Sequence, residues 1–255
     1  MPGLYRIKPV DINKLAYIGQ TGRNLRERVI GHLAKHAMLE EMPFNDPHTA
    51  APSLWAWRDA EGMKFEFSVA QVQLPDRERE ALECYLLWQY RLEAGESTMC
   101  NHGRFHPQYI KSSQKKQLRQ GYRLPAEEQN PAGGASMSPL HMHGEPIDND
   151  FMGLVWSELQ PLLTTKQVIA EKKGIYKILD AITGELLYVG ESQNLRQRIP
   201  NHKRKPWGHY EPVFSYVIQL DDILPYQLKE LENDLIGAWY LITGKGPVFQ
   251  FLSSK

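Results

Sequence analysis

The chain repeats itself, and this repetition limits its fold more than any other feature. Residues 3–5 read Gly-Leu-Tyr and residues 17–19 read Tyr-Ile-Gly; far downstream, residues 174–176 read Gly-Ile-Tyr and residues 188–190 read Tyr-Val-Gly. In both places the first Gly stands 14 residues before the second Tyr. Each block is followed by Asn-Leu-Arg-x-Arg: Asn24, Leu25, Arg26 and Arg28, then Asn194, Leu195, Arg196 and Arg198. A histidine follows each closing arginine at the fourth residue, His32 and His202. The first copy carries one extra residue between Gly19 and Asn24. Identical residue types at near-fixed spacing point to an internal duplication, so the fold must be one that a unit of about 100 residues completes twice.

Both copies have the same expected order of elements. Tyr5–Pro9 and Leu15–Ile18 read as the strands of a hairpin joined through Val10–Lys14, and Ala181–Glu185 is the matching turn downstream. Asn24 and Asn194 suit helix caps. After them Leu25, Arg28 and His32, and likewise Leu195, Arg198 and His202, fall at helical spacing, which sets Arg and His on one face. A strand rich in Phe, Val or Ile comes next, Lys64–Leu74 and Val213–Leu220. A second helix follows, Glu78–Arg91 and Gln227–Leu241. Leu82, Leu86 and Leu87 form the apolar stripe of one, and Leu228, Leu231, Leu235 and Ile236 that of the other. Glu83 and Glu232 occupy matching places within those stripes.

These residues resemble the GIY-YIG nuclease superfamily, whose name-giving motif stands twice here: Gly3-Leu4-Tyr5 with Tyr17-Ile18-Gly19, and Gly174-Ile175-Tyr176 with Tyr188-Val189-Gly190. The resemblance implies a small α+β domain, a mainly antiparallel sheet flanked by helices, present as two tandem copies. It implies that the family arginine is Arg28 and Arg198, and that the metal-binding glutamate is Glu83 and Glu232. Some members follow that helix with an asparagine, a place matched by Asn101, with Gln250 in its stead in the second copy. It also implies cleavage of phosphodiester bonds with one divalent cation, Mg²⁺ or Mn²⁺. That chemistry suits the residue types. A carboxylate holds the hard cation through oxygen, Arg offers a planar fork to phosphate oxygens, and the tyrosines orient or deprotonate water. A tyrosine titrating near pH ~10 is a poor base alone, so His32 would take the proton of Tyr5 or Tyr17, and His202 that of Tyr176 or Tyr188.

The copies are unequal. Arg28 to Glu83 spans 55 residues against 34 from Arg198 to Glu232, which leaves an insert of 21 residues around Met42–Trp57. Its three prolines read as a loop, assigned to about residues 37–60. Trp55 and Trp57 there suit the edge of a small core better than exposed base stacking, and Asn45-Asp46-Pro47 explains Asp46 and His48 as a turn more simply than as metal ligands. Residues 106–150 read as a basic segment and flexible linker between a first domain, 1–105, and a second, 151–255. Phe151–Leu163 reads as an amphipathic helix leading into the second domain. The histidines around Cys100 and in the linker are too irregularly spaced for a zinc site.

Charge sharpens the choice of partner. Acids and bases balance at 30 each, so no chain-wide field favours nucleic acid. Two local strips do. Arg104–Arg123 holds six bases and no acids, and Arg196–Lys205 holds five and none. Arg104, Lys115, Lys116, Lys203, Arg204 and Lys205 are therefore candidate DNA contacts, with Asn101 and Gln250. Only two cysteines, no apolar run long enough to span a bilayer and no signal-like N-terminus fit a cytoplasmic protein without membrane contact.

The leading expectation is a metal-dependent DNA endonuclease. Two sites in one chain would let a monomer cut both strands as a pseudo-dimer, with a homodimer as the alternative, in a restriction or defence role. Three rivals stand beside it: a structure-specific repair or recombination nuclease, one catalytic copy paired with one binding copy, and a non-cutting nucleic-acid-binding module. RNA is not excluded as substrate.

Overall fold

The structure, a computed structural model, describes residues 1–46, 48–164 and 169–252. The chain forms two compact units, residues 1–75 with 93–136 and residues 76–92 with 137–255.

The first unit opens with the expected hairpin, β1 (Gly3–Pro9) and β2 (Tyr17–Thr21). Asn24 Oδ1 accepts the amide of Arg26 at 3.0 Å and so caps the helix that follows. That helix has a π-helical stretch, Glu27–Ala34, running into α1 (Lys35–Ala37). The insert is not a plain loop but carries α2 (Ala51–Glu61). Pro52 lies in its first turn, where the missing amide is not needed, so a proline expected to break structure instead helps to start it. Strand β3 (Phe65–Gln71) pairs with β1, giving an antiparallel sheet in the order β2-β1-β3. Side chains alternate across the pleat. Tyr5 and Ile7 therefore face a cluster of Leu25, Val29, Leu33 and Leu54, while Arg6 is exposed.

Helix α3 (Asp76–Ala94) belongs through residues 76–92 to the second unit. After it, β4 (Tyr109–Ile110) and β5 (Tyr122–Arg123) pair in the first unit. The segment expected to be a basic stretch and flexible linker is pinned there: the amide of Leu124 donates to Gln108 O at 2.7 Å and that of Asn130 to Pro107 O at 2.7 Å. Tyr109 and Phe105 anchor it as buried aromatics.

The second unit is built on β6 (Gln160–Pro161), β7 (Gly174–Asp180), β8 (Leu186–Ser192), α4 (Leu195–Asn201), β9 (Pro212–Ile218) and α5 (Pro225–Thr243). Its sheet runs β6-β9-β7-β8. Central β7 is buried along its whole length because both faces are covered. Ile175 and Leu179 pack with Trp88 of α3 and Leu228, Leu231 and Leu235 of α5. Tyr176 and Ile178 pack the other way, with Leu195, Ile199, Trp207 and Phe214. Arg91 of α3 pairs with Asp234 at 2.8 Å and Glu230 at 3.4 Å, all three side chains fully buried. The amides of Leu140 and Met137 satisfy the same two carboxylates, which makes the buried charges tolerable.

Phe151–Leu163 is not the amphipathic helix its spacing suggested. A single 3-10 turn, Phe151–Gly153, gives way to extended chain. The reason lies in β7. Lys177 is buried, with its ammonium 4.4 Å from the Trp156 ring and 5.5 Å from that of Phe151, and it donates to Asp148 O at 2.7 Å. The segment wraps this lysine, and then Gln160 and Pro161 take ladder bonds from β9.

Candidate active site

In the second unit the sheet register brings the motif residues together. Tyr176 of β7 stands opposite Gly190 of β8. Tyr188, two residues before that glycine, shares its face, and the two phenol rings stack at 6.0 Å and 26°. A Cβ on Gly190 would lie 2.3 Å from the Tyr176 hydroxyl, so the tyrosine rests where only glycine leaves room. Gly174 solves a second crowding problem: a Cβ there would meet Val217 O at 2.3 Å and Leu195 Cδ1 at 2.7 Å. Its absence lets Leu195 settle on the sheet at the start of α4. Asn194 Oδ1 caps that helix by accepting the Gln197 amide at 3.2 Å.

Arg198 follows one turn later. Its Nε donates to the Tyr176 hydroxyl at 3.1 Å and its terminal nitrogen to that of Tyr188 at 3.5 Å. Pro200 cannot donate to the preceding turn, and the chain tightens into a 3-10 turn, His202–Arg204. That turn carries His202 inward. Its Nε2 is 2.8 Å from the Tyr176 hydroxyl, while Trp207 Nε1 donates to the His202 carbonyl at 3.0 Å. Lys205 lies over the Tyr188 ring at 4.2 Å.

The electrostatics of this cluster are strained in a consistent direction. Burial, with Lys205 and Arg198 beside it, lowers His202 to about 3, so the imidazole is neutral at ordinary pH. Burial pushes the Tyr176 phenol above its usual range against the pull of Arg198. Glu232 of α5 is raised to about 8 by burial and then by Glu191, against the opposing charges of Lys229 and Arg198. Glu191, on β8 directly after Gly190, is itself raised by burial. Sequence spacing did not single it out, since the first copy has Gln20 there. A carboxylate that the charge of a second carboxylate pushes toward its protonated form suits a hard cation, and Mg²⁺ sites often bind through one or two carboxylates with water and phosphate completing the shell. Among the described residues no group of three or more His, Cys, Asp or Glu side chains forms a complete protein cage.

The first unit repeats much of this geometry by another route. Tyr5 stands opposite Gly19, and its ring stacks on Tyr17 at 6.0 Å and 23°. A Cβ on Gly19 would lie 2.5 Å from the Tyr5 hydroxyl, and one on Gly3 would lie 2.2 Å from Ala70 O and 2.6 Å from Leu25 Cδ1. The histidine, however, is not His32. No proline interrupts the helix there, and His32 stays more than a third exposed, 3.7 Å from Glu27. His48, fully buried in the insert, takes the position instead, with Nε2 at 2.8 Å from the Tyr5 hydroxyl. Burial, followed by the charge of Arg28, lowers it to about 3. The expectation that His32 partners Tyr5 is thus corrected, as is the reading of His48 as a turn residue. Pro47, the proline of that turn, lies outside the described residues. Glu83 sits half-buried on α3, among the residues of the second unit.

The other candidates divide between buried braces and exposed bases. Asn101 is buried and brackets Ile18, accepting its amide at 3.0 Å and donating to its carbonyl at 2.8 Å. Gln250, also buried, accepts the Val189 amide at 3.1 Å. Each braces the middle of a Tyr-x-Gly strand from a buried position. Arg104 binds Gly134 O at 3.0 Å and the Ser136 hydroxyl. Lys115 and Lys116 are exposed on a 3-10 turn, and Lys203 and Arg204 are exposed beside the second cluster. Trp55 is a core residue, its indole donating to Leu39 O at 2.9 Å. Among the described residues no helix is long and apolar enough to cross a membrane.

No curated protein and no solved structure matches the chain. The family model described as the GIY-YIG catalytic domain matches residues 172–236, the stretch that carries Tyr176, Tyr188, Arg198, His202 and Glu232, and so one domain of this nuclease family is found in the second unit.

Proposed function

We propose that the second unit hydrolyses phosphodiester bonds in DNA with the help of a divalent cation. The observation that carries this reading is the hydrogen-bonded run from Tyr188 through Arg198 and Tyr176 to His202. It is a built device for water and phosphate. Arg198 holds the phenols in place with one edge of its guanidinium and turns toward phosphate with the rest. Tyr176 receives the proton of the attacking water as its own passes to His202 Nε2, which the neutral imidazole can accept. Glu232, with Glu191 beside it, holds the cation. A bound Mg²⁺ or Mn²⁺ supplies charge stabilisation on the phosphate oxygens. Lys203 and Arg204 lie in the next turn and offer phosphate contacts on the same side of the sequence motif.

We further infer that the first unit is a diverged second copy, and that the chain cuts both strands of a duplex in a restriction or defence role. The matched Tyr-Tyr-His-Gly geometry of Tyr5, Tyr17, His48 and Gly19 supports this. A division into one cutting and one binding copy is the second reading. It is favoured by the family match lying in the second unit and by the replacement of His32. Incubation with supercoiled plasmid and Mg²⁺ separates them. Linear product from the wild type, with nicked product from both Glu232→Ala and Arg28→Ala, means one strand per copy. Loss in Glu232→Ala alone assigns cutting to the second unit. Undiminished cutting by Glu232→Ala contradicts the proposal.

A further inference from the structure

The two buried histidines meet their tyrosines at the same distance, but their far sides differ. His48 Nδ1 accepts the amide of Ala50 at 3.1 Å, at the opening turn of α2, and its own carbonyl accepts the amide of Ala51 at 3.1 Å. An amide donor leaves Nδ1 only one role, that of acceptor. The single proton of the neutral ring must then sit on Nε2, and Nε2–H points at Tyr5. A helix N-terminus also disfavours a second proton on that ring. Arg28, His32, His36 and Lys111 face His48, and burial with these charges lowers it as burial lowers His202, so the two rings differ in what meets Nδ1. In the second unit His202 Nδ1 is buried and meets no hydrogen-bond partner, so nothing dictates which nitrogen holds the proton. Tyr176, Tyr188, Arg198, Lys205 and Trp207 surround this ring, and none of them donates to Nδ1.

We propose that His48 is the positioning partner of Tyr5 and is held as the Nε2–H tautomer by α2, so that it donates to the phenol and cannot take its proton, whereas His202 can take the proton of Tyr176. The inference deepens the nuclease reading and rests on it only for its catalytic consequence. The insert thus converts a proton acceptor into a fixed donor. A donated Nε2–H holds the Tyr5 oxygen in place and stabilises charge on it, but offers no route for the proton onward. His48 then cannot relay that proton, while His202 can.

The direct test is the protonation state of each ring in the full chain, read from long-range proton–nitrogen spectra of uniformly ¹⁵N-labelled wild type. Ring signals are assigned through backbone correlations, so no variant has to fold. The expected result is an unprotonated Nδ1 and a protonated Nε2 on His48, unchanged from pH 8 to pH 5, with a coupling from Nδ1 to the Ala50 amide. A protonated Nδ1 on His48 overturns the proposal whether or not the protein cuts DNA. Loss of all cutting with the expected His48 spectrum instead sinks only the nuclease reading. The activity arm uses strand-resolved nicking. His48→Ala and His202→Ala each slow their own strand by about 10²-fold. Glutamine donates a hydrogen bond but is no base, so His48→Gln restores most of the loss and His202→Gln does not. Equal rescue at both positions, or at neither, contradicts the assignment.

Discussion

The two tyrosine clusters share their geometry and differ in how the chain delivers it. In each, stacked phenols stand 6.0 Å apart over a glycine, and a buried neutral histidine reaches the first hydroxyl at 2.8 Å. In the second unit His202 arrives on a helix broken at Pro200. In the first, His48 arrives on an insert, 43 positions from its tyrosine, and the helix that carries His32 runs on unbroken. The comparison teaches that the constraint acts on the space around the phenol rather than on the helix. Any segment that brings an imidazole there satisfies the tyrosine. The route still matters chemically, because it decides what lies behind the ring: the amide of Ala50 in one case, and no hydrogen-bonding group in the other.

The comparison is broken most sharply at the arginines. Arg198→Ala removes the donor to both phenols, and a drop of about 10²–10³ in the rate of second-unit cutting is expected from single-turnover assays. A similar drop from Arg28→Ala in first-unit cutting would mean the two sites are equal in practice, and would sink the division of labour. Next come the glycines. Gly190→Ala must displace the Tyr176 hydroxyl, and a shift of about 1 Å costs about 10² in rate. Gly19→Ala should do the same to Tyr5. Full activity in both, with unchanged circular dichroism, would show that the tyrosines are packing residues only.

The smallest effect is on stability. Both histidines titrate near 3 in the fold, against about 6.5 when unfolded. The folded chain therefore binds fewer protons than the unfolded one as pH falls. Their contribution to stability is full above pH ~6.5 and is lost between there and about 3, at up to about 1.4 kcal/mol per pH unit for each ring. Urea unfolding at pH 7.5 and 5.5 measures it. His48→Gln or His202→Gln should flatten the slope by one ring's share, and an unaltered slope in both would mean these rings are already charged or exposed.

The sequence carried the parts of this arrangement that arise from contacts across one hairpin. The hairpin and the Asn194 cap are local, and spacing announces them; the register that sets Tyr176 opposite Gly190 and the approach of Leu195 to Gly174 appear only in the fold. The helices bearing Glu83 and Glu232 were legible from their apolar stripes, and they run a little longer than expected at both ends. Asn101 and Gln250 were legible as a matched pair, but not as braces for Ile18 and Val189, because a buried amide looks the same as an exposed one in a string of letters. His48 was hidden because the fourth-residue rule assumes an unbroken correspondence of helices, and Pro200 has no counterpart in the first. The extended course after Phe151 was hidden for a different reason. It is imposed by Lys177, and no periodicity of the segment itself encodes a lysine that must be wrapped.

The central claim is that Tyr176 handles the proton of the attacking water. The measurement that meets it most directly is the single-turnover cleavage rate of an end-labelled duplex with Mg²⁺, in a chain carrying Arg28→Ala so that the second unit alone reports. Tyr176→Phe keeps the stacked ring and removes only its oxygen. The account predicts a fall of about 10²–10⁴ with duplex binding retained. An unchanged rate would contradict it.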